Sequence, residues 1–292
     1  MKSAFSSIAF PESTLDQIAS YAGRLEYDGV ELRSFGFGST DLPSDPALTS
    51  PAKIERLFEQ AGSSVCCIAT SASFDKPIKP PIIGRAFGDY EQPVREARRL
   101  VGLASDIEAP LVRVFGFKTH GRESHKAACR RIGKRLAMVV DHCRNRGVRL
   151  VLENGGSFET AEQMAELIQQ ANVDNLLGAA YSIAIGERRN EDISTVLDVL
   201  GDRLWSVKVR DHVDGTPCPA GQGEIDVTGA LRTLAQRDYT GWVVFEYDRL
   251  WQDAPTPAEE ALAGGPRLVV EAIGSVLREQ RAAAASRTPV LA

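Results

Sequence analysis

Short runs rich in Val, Ile and Leu recur along the chain, each followed by a longer stretch whose apolar residues have helical spacing. The runs fall at 4–8, 29–33, 64–69, 111–115, 149–153, 176–180, 204–209 and 242–246, and each reads as a strand. Several intervening segments carry helix start signals. Ser50 precedes Pro51, a cap with proline at the first helical position. Thr160 with Gln163, and Thr256 with Glu259, have capping-box spacing. Gly62 and Gly147 stand where helices should stop.

Eight strand–helix units with no linker-like break predict an α/β fold, a closed (β/α)8 barrel, over residues 1–281 as a single domain. The remainder, "AAAASRTPVLA" at 282–292, reads as a mobile tail. A doubly wound open sheet is the competitor, but no G-x-G-x-x-G follows a strand, since "GFGSTD" at 36–41 fails at its last position. A P-loop is absent as well.

Barrel enzymes carry their chemistry at the C-terminal ends of the strands. Glu153 in "VLENGG" and Glu246 in "VVFEYD" stand at two such ends, and Arg33, Arg113, Lys208 and Arg210 at others. Strand alternation puts Val151 with Glu153, Val244 with Glu246, and Ser206 with Lys208 and Arg210, on inward faces. Long loops after strands 2, 3, 4 and 7 are candidates for walls or a lid. Among the histidines, His120 and His212 fall near the mouth, whereas His125 opens a helix and His142 lies within one.

Composition narrows the function classes. The 34 basic and 39 acidic residues are spread along the chain and leave a net charge of −5, without the basic face of a nucleic-acid binder. Runs such as "LAMVV" stay far short of a membrane span. The N-terminus is too weakly apolar for a secretion signal. Five cysteines without a C-x-x-C pair read as reduced thiols of a cytoplasmic protein, with adjacent Cys66 and Cys67 on opposite faces of their strand.

Five segments in order, "DGVELR" (28–33), "LVRVFGF" (111–117), "VRLVLENGGSFETAEQ" (148–163), "VKVRDH" with "GQGEID" (207–226) and "YTGWVVFEY" (239–247), resemble the xylose isomerase-like barrel superfamily of sugar isomerases and epimerases. The resemblance covers nearly the whole chain. It implies a divalent metal held by Glu, Asp, His and Glu from strands 5 to 8, with the two glutamates exchanging protons beside the substrate carbonyl. The first ligand matches Glu153 and the last Glu246. The middle two depart from the pattern, being matched by Tyr181, with Ser182 beside it, and by Lys208. The "ENH" common after strand 5 is "ENG" here. A trinuclear zinc site like that of the endonuclease branch needs more than the four histidines present.

A protonated lysine repels a cation, so no cofactor is expected. The expected activity is isomerase or epimerase proton transfer on a sugar-like small molecule, catalysed by Glu153, Glu246 and Lys208. Arg210, Tyr181, Arg113 and His120 are the expected substrate contacts. Lys208 has three alternatives: an electrophile in place of the metal, a salt bridge closing a vacated site, or a Schiff-base amine. Two other readings stay open: a retired, ligand-binding barrel, and a conventional Mn, Mg or Zn isomerase at Glu153 and Glu246 with Asp211 or His212 added. Neither nucleic acid nor membrane is an expected partner, and the oligomeric state is open, homo-oligomers included.

Overall fold

The computed structural model describes residues 1–77, 91–173 and 175–287. Eight parallel strands close into a barrel: β1 (Lys2–Ser6), β2 (Gly29–Arg33), β3 (Ser64–Ser73), β4 (Leu111–Phe115), β5 (Arg149–Glu153), β6 (Leu177–Ser182), β7 (Leu204–Val209) and, after a hairpin of β8 (Asp211–Val213) and β9 (Thr216–Cys218), β10 (Trp242–Phe245). β1 pairs with both β2 and β10, which completes the ring. The flanking helices are α1 (Leu15–Arg24), α2 (Pro51–Gln60), α3 (Gln92–Asp106), α4 (His125–Cys143), α5 (Ala161–Ala171), α6 (Ile183–Glu187), α7 (Ile193–Leu200), α8 (Val227–Gln236), α9 (Ala258–Leu262) and α10 (Gly265–Arg287). No described helix is long and apolar enough to cross a membrane.

The period-two alternation of the strands divides the apolar residues into two sets. Val30, Leu32, Ile68, Val112, Val114, Leu150, Leu152, Val207, Val209 and Val243 point outward and join the helices in one large core. A smaller set, Ala4, Cys66, Cys67, Leu111, Val151, Ala180 and Val244, fills the barrel interior. Small and branched residues suffice there, because the ring leaves room for little else.

Several boundaries differ from the sequence reading. β1 ends at Ser6 and a 3-10 turn covers Ser7–Ala9. β3 continues to Ser73 and β6 to Ser182. The β8–β9 hairpin lies inside what reads as a long loop. The capping box predicted at Thr256 does not form, since Pro257 is the N-cap of α9. The box at Thr160 does form, and Ser50 with Pro51 begins α2 as expected. α10 runs through Arg287, well into the supposed tail; residues 288–292 lie outside those described. Much of the long segment after strand 3, residues 78–90, lies outside them as well.

The cysteine pair corrects the sequence reading. Val30 pairs with Val65 but Glu31 pairs with Cys67, so β3 holds one extra residue, a bulge. A bulge suspends alternation locally, and both Cys66 and Cys67 join the interior cluster.

Asp211 anchors the loop that follows β7. Its buried carboxylate accepts hydrogen bonds from the backbone N–H groups of His212, Gly221, Gly223 and Ile225 at 2.9–3.1 Å. Asp211→Ala strands several N–H groups at once, and the expected cost is about 3 kcal/mol. Denaturant midpoints of wild type and variant measure it, and a loss below about 1 kcal/mol would remove Asp211 from that role.

Candidate active site

One rung above the interior apolar set, five strands turn a charged side chain inward, Arg113 of β4 among them, and the other four meet at one point. Glu31 follows Gly29 by two residues, Glu153 follows Val151, Lys208 follows Ser206, and Glu246 follows Val244. The paired registers bring all four together. The Lys208 ammonium lies 2.9 Å from Glu31 Oε1, 3.0 Å from Glu153 Oε2 and 2.7 Å from Glu246 Oε1. Lys208 has no exposed surface at all, and the three glutamates are buried.

Such a cluster persists only if attraction outweighs the cost of removing four charges from water. Burial alone would lower the Lys208 pKa, but Glu153, Glu246 and Glu31 outweigh it and hold the ammonium above its ordinary range. For Glu246 burial pushes up, while Lys208 and then Arg210 pull down further and keep it far below the carboxylate range. A lysine held charged in this way is a poor Schiff-base amine, which needs a free electron pair.

Three arginines surround the centre. Arg113 Nε stands 3.1 Å from Glu153 Oε2, and the Arg113 guanidinium lies over the Phe115 ring at 3.9 Å. Arg210 donates to Glu246 Oε2 at 2.8 Å, and its side chain, 34% exposed, is the cation that reaches solvent. Arg33 is buried and donates to the Ala69 and Thr70 carbonyls and to Ser71 Oγ at 2.6–3.2 Å. Among the described residues Arg33 pairs with no carboxylate. Burial, and then the neighbouring Arg113, lower its pKa to about 10. Its guanidinium lies 4.7 Å from the Phe35 ring and 5.4 Å from the Trp251 ring, which meet edge to face, and Trp251 is 59% exposed.

The two carboxylates named from the sequence are held differently. Both Glu246 oxygens accept hydrogen bonds, one from Lys208 and one from Arg210. Glu153 Oε2 lies within ion-pair range of Lys208 and Arg113, yet neither contact is aligned as a hydrogen bond, and the oxygen is buried without a partner. The Nε atoms of Arg33, Arg113 and Arg210 are likewise buried and unpartnered.

Other residues singled out in the sequence fall elsewhere. Tyr181 belongs to the outer core: its hydroxyl bonds Glu191 and packs against Gly186 of α6. Alternation, carried two residues past Ala180, gives the inward position to Ser182, which pairs across with Lys208. Asn154 fixes that end of β6, accepting from Ser182 N at 2.7 Å and donating to Ser182 O at 3.2 Å. His120 pairs with Asp75 at 3.2 Å, on loops after β4 and β3, without contact to the Lys208 cluster. Asp211 is occupied by its loop, so it offers no free oxygen to a metal in the barrel. Glu31 was not singled out in the sequence, although it lies in "VELR" on the same face as Arg33.

The profile of the family described as xylose isomerase-like TIM barrel matches residues 19–268. No functionally curated protein shows significant sequence similarity to the chain. Among solved structures, an L-ribulose 3-epimerase aligns over 99% of both chains at 16% identity and a TM-score of 0.80. The IolI protein, solved with a bound zinc atom, aligns over 94% of this chain and 99% of its own at 17% identity and a TM-score of 0.74. The 3-keto-D-glucoside 4-epimerase of E. coli aligns over 92% and 99% at 15% identity and a TM-score of 0.72. At these identities the likeness is one of fold.

The cluster makes stability depend on Lys208. In the wild type the Glu246 contribution is complete above about pH 4.3, the ordinary value, and fades as pH falls towards its depressed folded value. The Lys208 contribution is complete below about pH 10.4 and fades only as pH rises towards its raised folded value. Lys208→Met removes the shared cation and leaves neighbouring carboxylates that must repel or take up a proton. The expected loss is about 3–5 kcal/mol near pH 8, shrinking towards pH 5 as protonation relieves it. Melting curves between those pH values test this, and a variant that overlays the wild type throughout would contradict it.

Proposed function

The chain belongs to the xylose isomerase-like TIM barrel family, and within it we propose an isomerase or epimerase that works without a metal in the barrel, on a sugar-derived carbonyl compound bearing a carboxylate. The observation that carries the reading is the Lys208 ammonium at the point where Glu31, Glu153 and Glu246 converge. A metal at the family position would draw on Glu153, Ser182, Lys208 and Glu246, which amount to two carboxylates, a hydroxyl and an ammonium. That donor set does not fit a divalent cation, because the ammonium brings like charge and already neutralises the acids.

The arginines at the mouth support an acidic substrate. Of the four cations at the mouth, Arg33, Arg113, Lys208 and Arg210, Arg33 is the one that forms no ion pair with a described carboxylate, although Glu31, Glu153 and Asp45 lie near enough to raise its pKa. A carboxylate placed near Arg33 and Arg210 would give Arg33 the ion pair it lacks. The exposed Trp251 ring beside Arg33 offers a face for the carbon skeleton of a sugar.

In the chemical step Glu153, the carboxylate with an unbonded oxygen, takes the proton from the carbon beside the carbonyl. The C–H electrons form the enolate, whose oxygen lies against Arg210. Reprotonation of the same carbon on its other face by a second group completes an epimerisation; delivery by Glu153 to the former carbonyl carbon, with the neighbouring hydroxyl proton passing to the enolate oxygen, completes an isomerisation. Lys208, having no exposed surface, is here a positioning residue that sets the orientation and charge of the glutamates. Tyr181 has no part in this step.

Full burial of Lys208 also favours a second reading, a barrel that binds sugar acids without turning them over. Proton exchange separates the two. Keto sugars and their acids incubated with the enzyme in D2O should show loss of the C–H signal beside the carbonyl by NMR, unaffected by chelator. Glu153→Gln should slow exchange by about 10²–10⁴-fold. Binding without exchange would establish the second reading; exchange that requires added Mn²⁺ or Mg²⁺ would overturn the metal-free mechanism.

The same charge argument predicts that calorimetric titration with Mg²⁺ or Mn²⁺ shows no stoichiometric binding that Glu153→Gln or Glu246→Gln abolishes. One equivalent lost in either variant would show a rebuilt ligand set.

A further inference from the structure

Outside the barrel, three groups of a different chemistry converge. His125 is the first residue of α4 and Cys129 lies four residues on, so both project from one side of that helix. Glu166 faces them from α5. One imidazole nitrogen, the thiol sulfur and one carboxylate oxygen all lie within 4.8 Å of one another, and His125 Nε2 is 3.0 Å from Glu166 Oε2. The sulfur forms a buried base, while the His125 and Glu166 side chains, 40% and 42% exposed, stand at the rim. The Phe158 ring, 5.2 Å from the imidazole, backs it and limits its rotation.

We propose that His125, Cys129 and Glu166 bind a thiophilic divalent cation of the zinc class, with solvent water completing the coordination and the ion tying α4 to α5. Nitrogen, sulfur and oxygen donors are the ligands zinc takes, and the thiolate selects it over Mg²⁺ and Mn²⁺. A thiolate and a carboxylate balance the charge of the ion, with the imidazole neutral. A tetrahedral ion with ligands about 2.0–2.3 Å away holds its donors about 3.3–3.6 Å apart, so side-chain rotations of about 1 Å close the site. Until then the thiol keeps its proton, because burial and then Glu166 push it up to about 11. Binding releases that proton to solvent and replaces the imidazole–carboxylate contact with two bonds to the ion. The site is independent of the barrel chemistry, so zinc found in the purified protein would belong here and not to Glu153 and Glu246.

Cobalt(II) titration of the full-length protein, followed by optical absorption, tests the assignment. One equivalent should produce an intense near-ultraviolet thiolate-to-cobalt band, bleached by added Zn²⁺. Cys129→Ser should abolish the band. Glu166→Gln, a surface change that leaves the circular dichroism unaltered, should weaken binding about tenfold or more. The proposal is overturned if excess Co²⁺ gives no thiolate band. A band that survives Cys129→Ser, which would point to Cys218, also overturns it, as does unchanged affinity in both His125→Ala and Glu166→Gln.

Discussion

A buried ammonium held by three carboxylates is the interaction on which the mouth of this barrel depends. Glu31, Glu153 and Glu246 reach it from β2, β5 and β10, strands spread around the ring, so the cluster works as a cross-brace. Taking out the lysine alone would leave like charges at close range, and taking out one acid would leave a cation short of partners. The centre therefore constrains its own evolution: it is stable as a set, and single changes are costly. Arg113 and Arg210 extend the brace outward, and Arg33 lies beside it within the field of Glu31, Glu153 and Asp45 but without an ion pair of its own.

That constraint also shapes the chemistry. In a metal-centred barrel the cation is exchangeable and polarises substrate directly. A lysine with no exposed surface can do neither, and its effect must pass through the glutamates it orients. In the proposed reaction, contact with substrate falls to the groups that reach solvent, Arg210 and the exposed face of Trp251, with the Glu153 side chain, 8% exposed, behind them. The group proposed for zinc, His125, Cys129 and Glu166, lies on the helical layer, outside the barrel centre.

The fold was legible in the sequence because buried strands and amphipathic helices repeat with a strong period, and four of the eight strands fall at the predicted residues. Alternation also indicated that Glu153, Lys208 and Glu246 share the interior. The Tyr181 expectation rests on the match to the family's ligand pattern and not on alternation, and the placing of Cys66 and Cys67 on opposite faces rests on alternation taken without a bulge. β6 runs to Ser182, which leaves Tyr181 facing the helices. The bulge in β3 turns both Cys66 and Cys67 inward, and no composition signal marks it. Glu31 escaped notice because it sits inside its strand, two residues before the end, whereas attention went to strand ends. The partners of His120 and Asp211 depend on loop geometry, which periodicity does not encode.

The central claim is that Lys208 stands as a charged ammonium where a cation would otherwise be needed. Proton–nitrogen NMR of 15N-lysine-labelled protein reads this directly, with Lys208→Met identifying the resonance. A slowly exchanging ammonium signal, present at neutral pH, still unshifted above about pH 10.4, where an ordinary lysine titrates, and unperturbed by stoichiometric Mn²⁺, is the predicted result. A Lys208 nitrogen that is a neutral amine near pH 7, or whose signal is lost to one equivalent of Mn²⁺, would contradict the account.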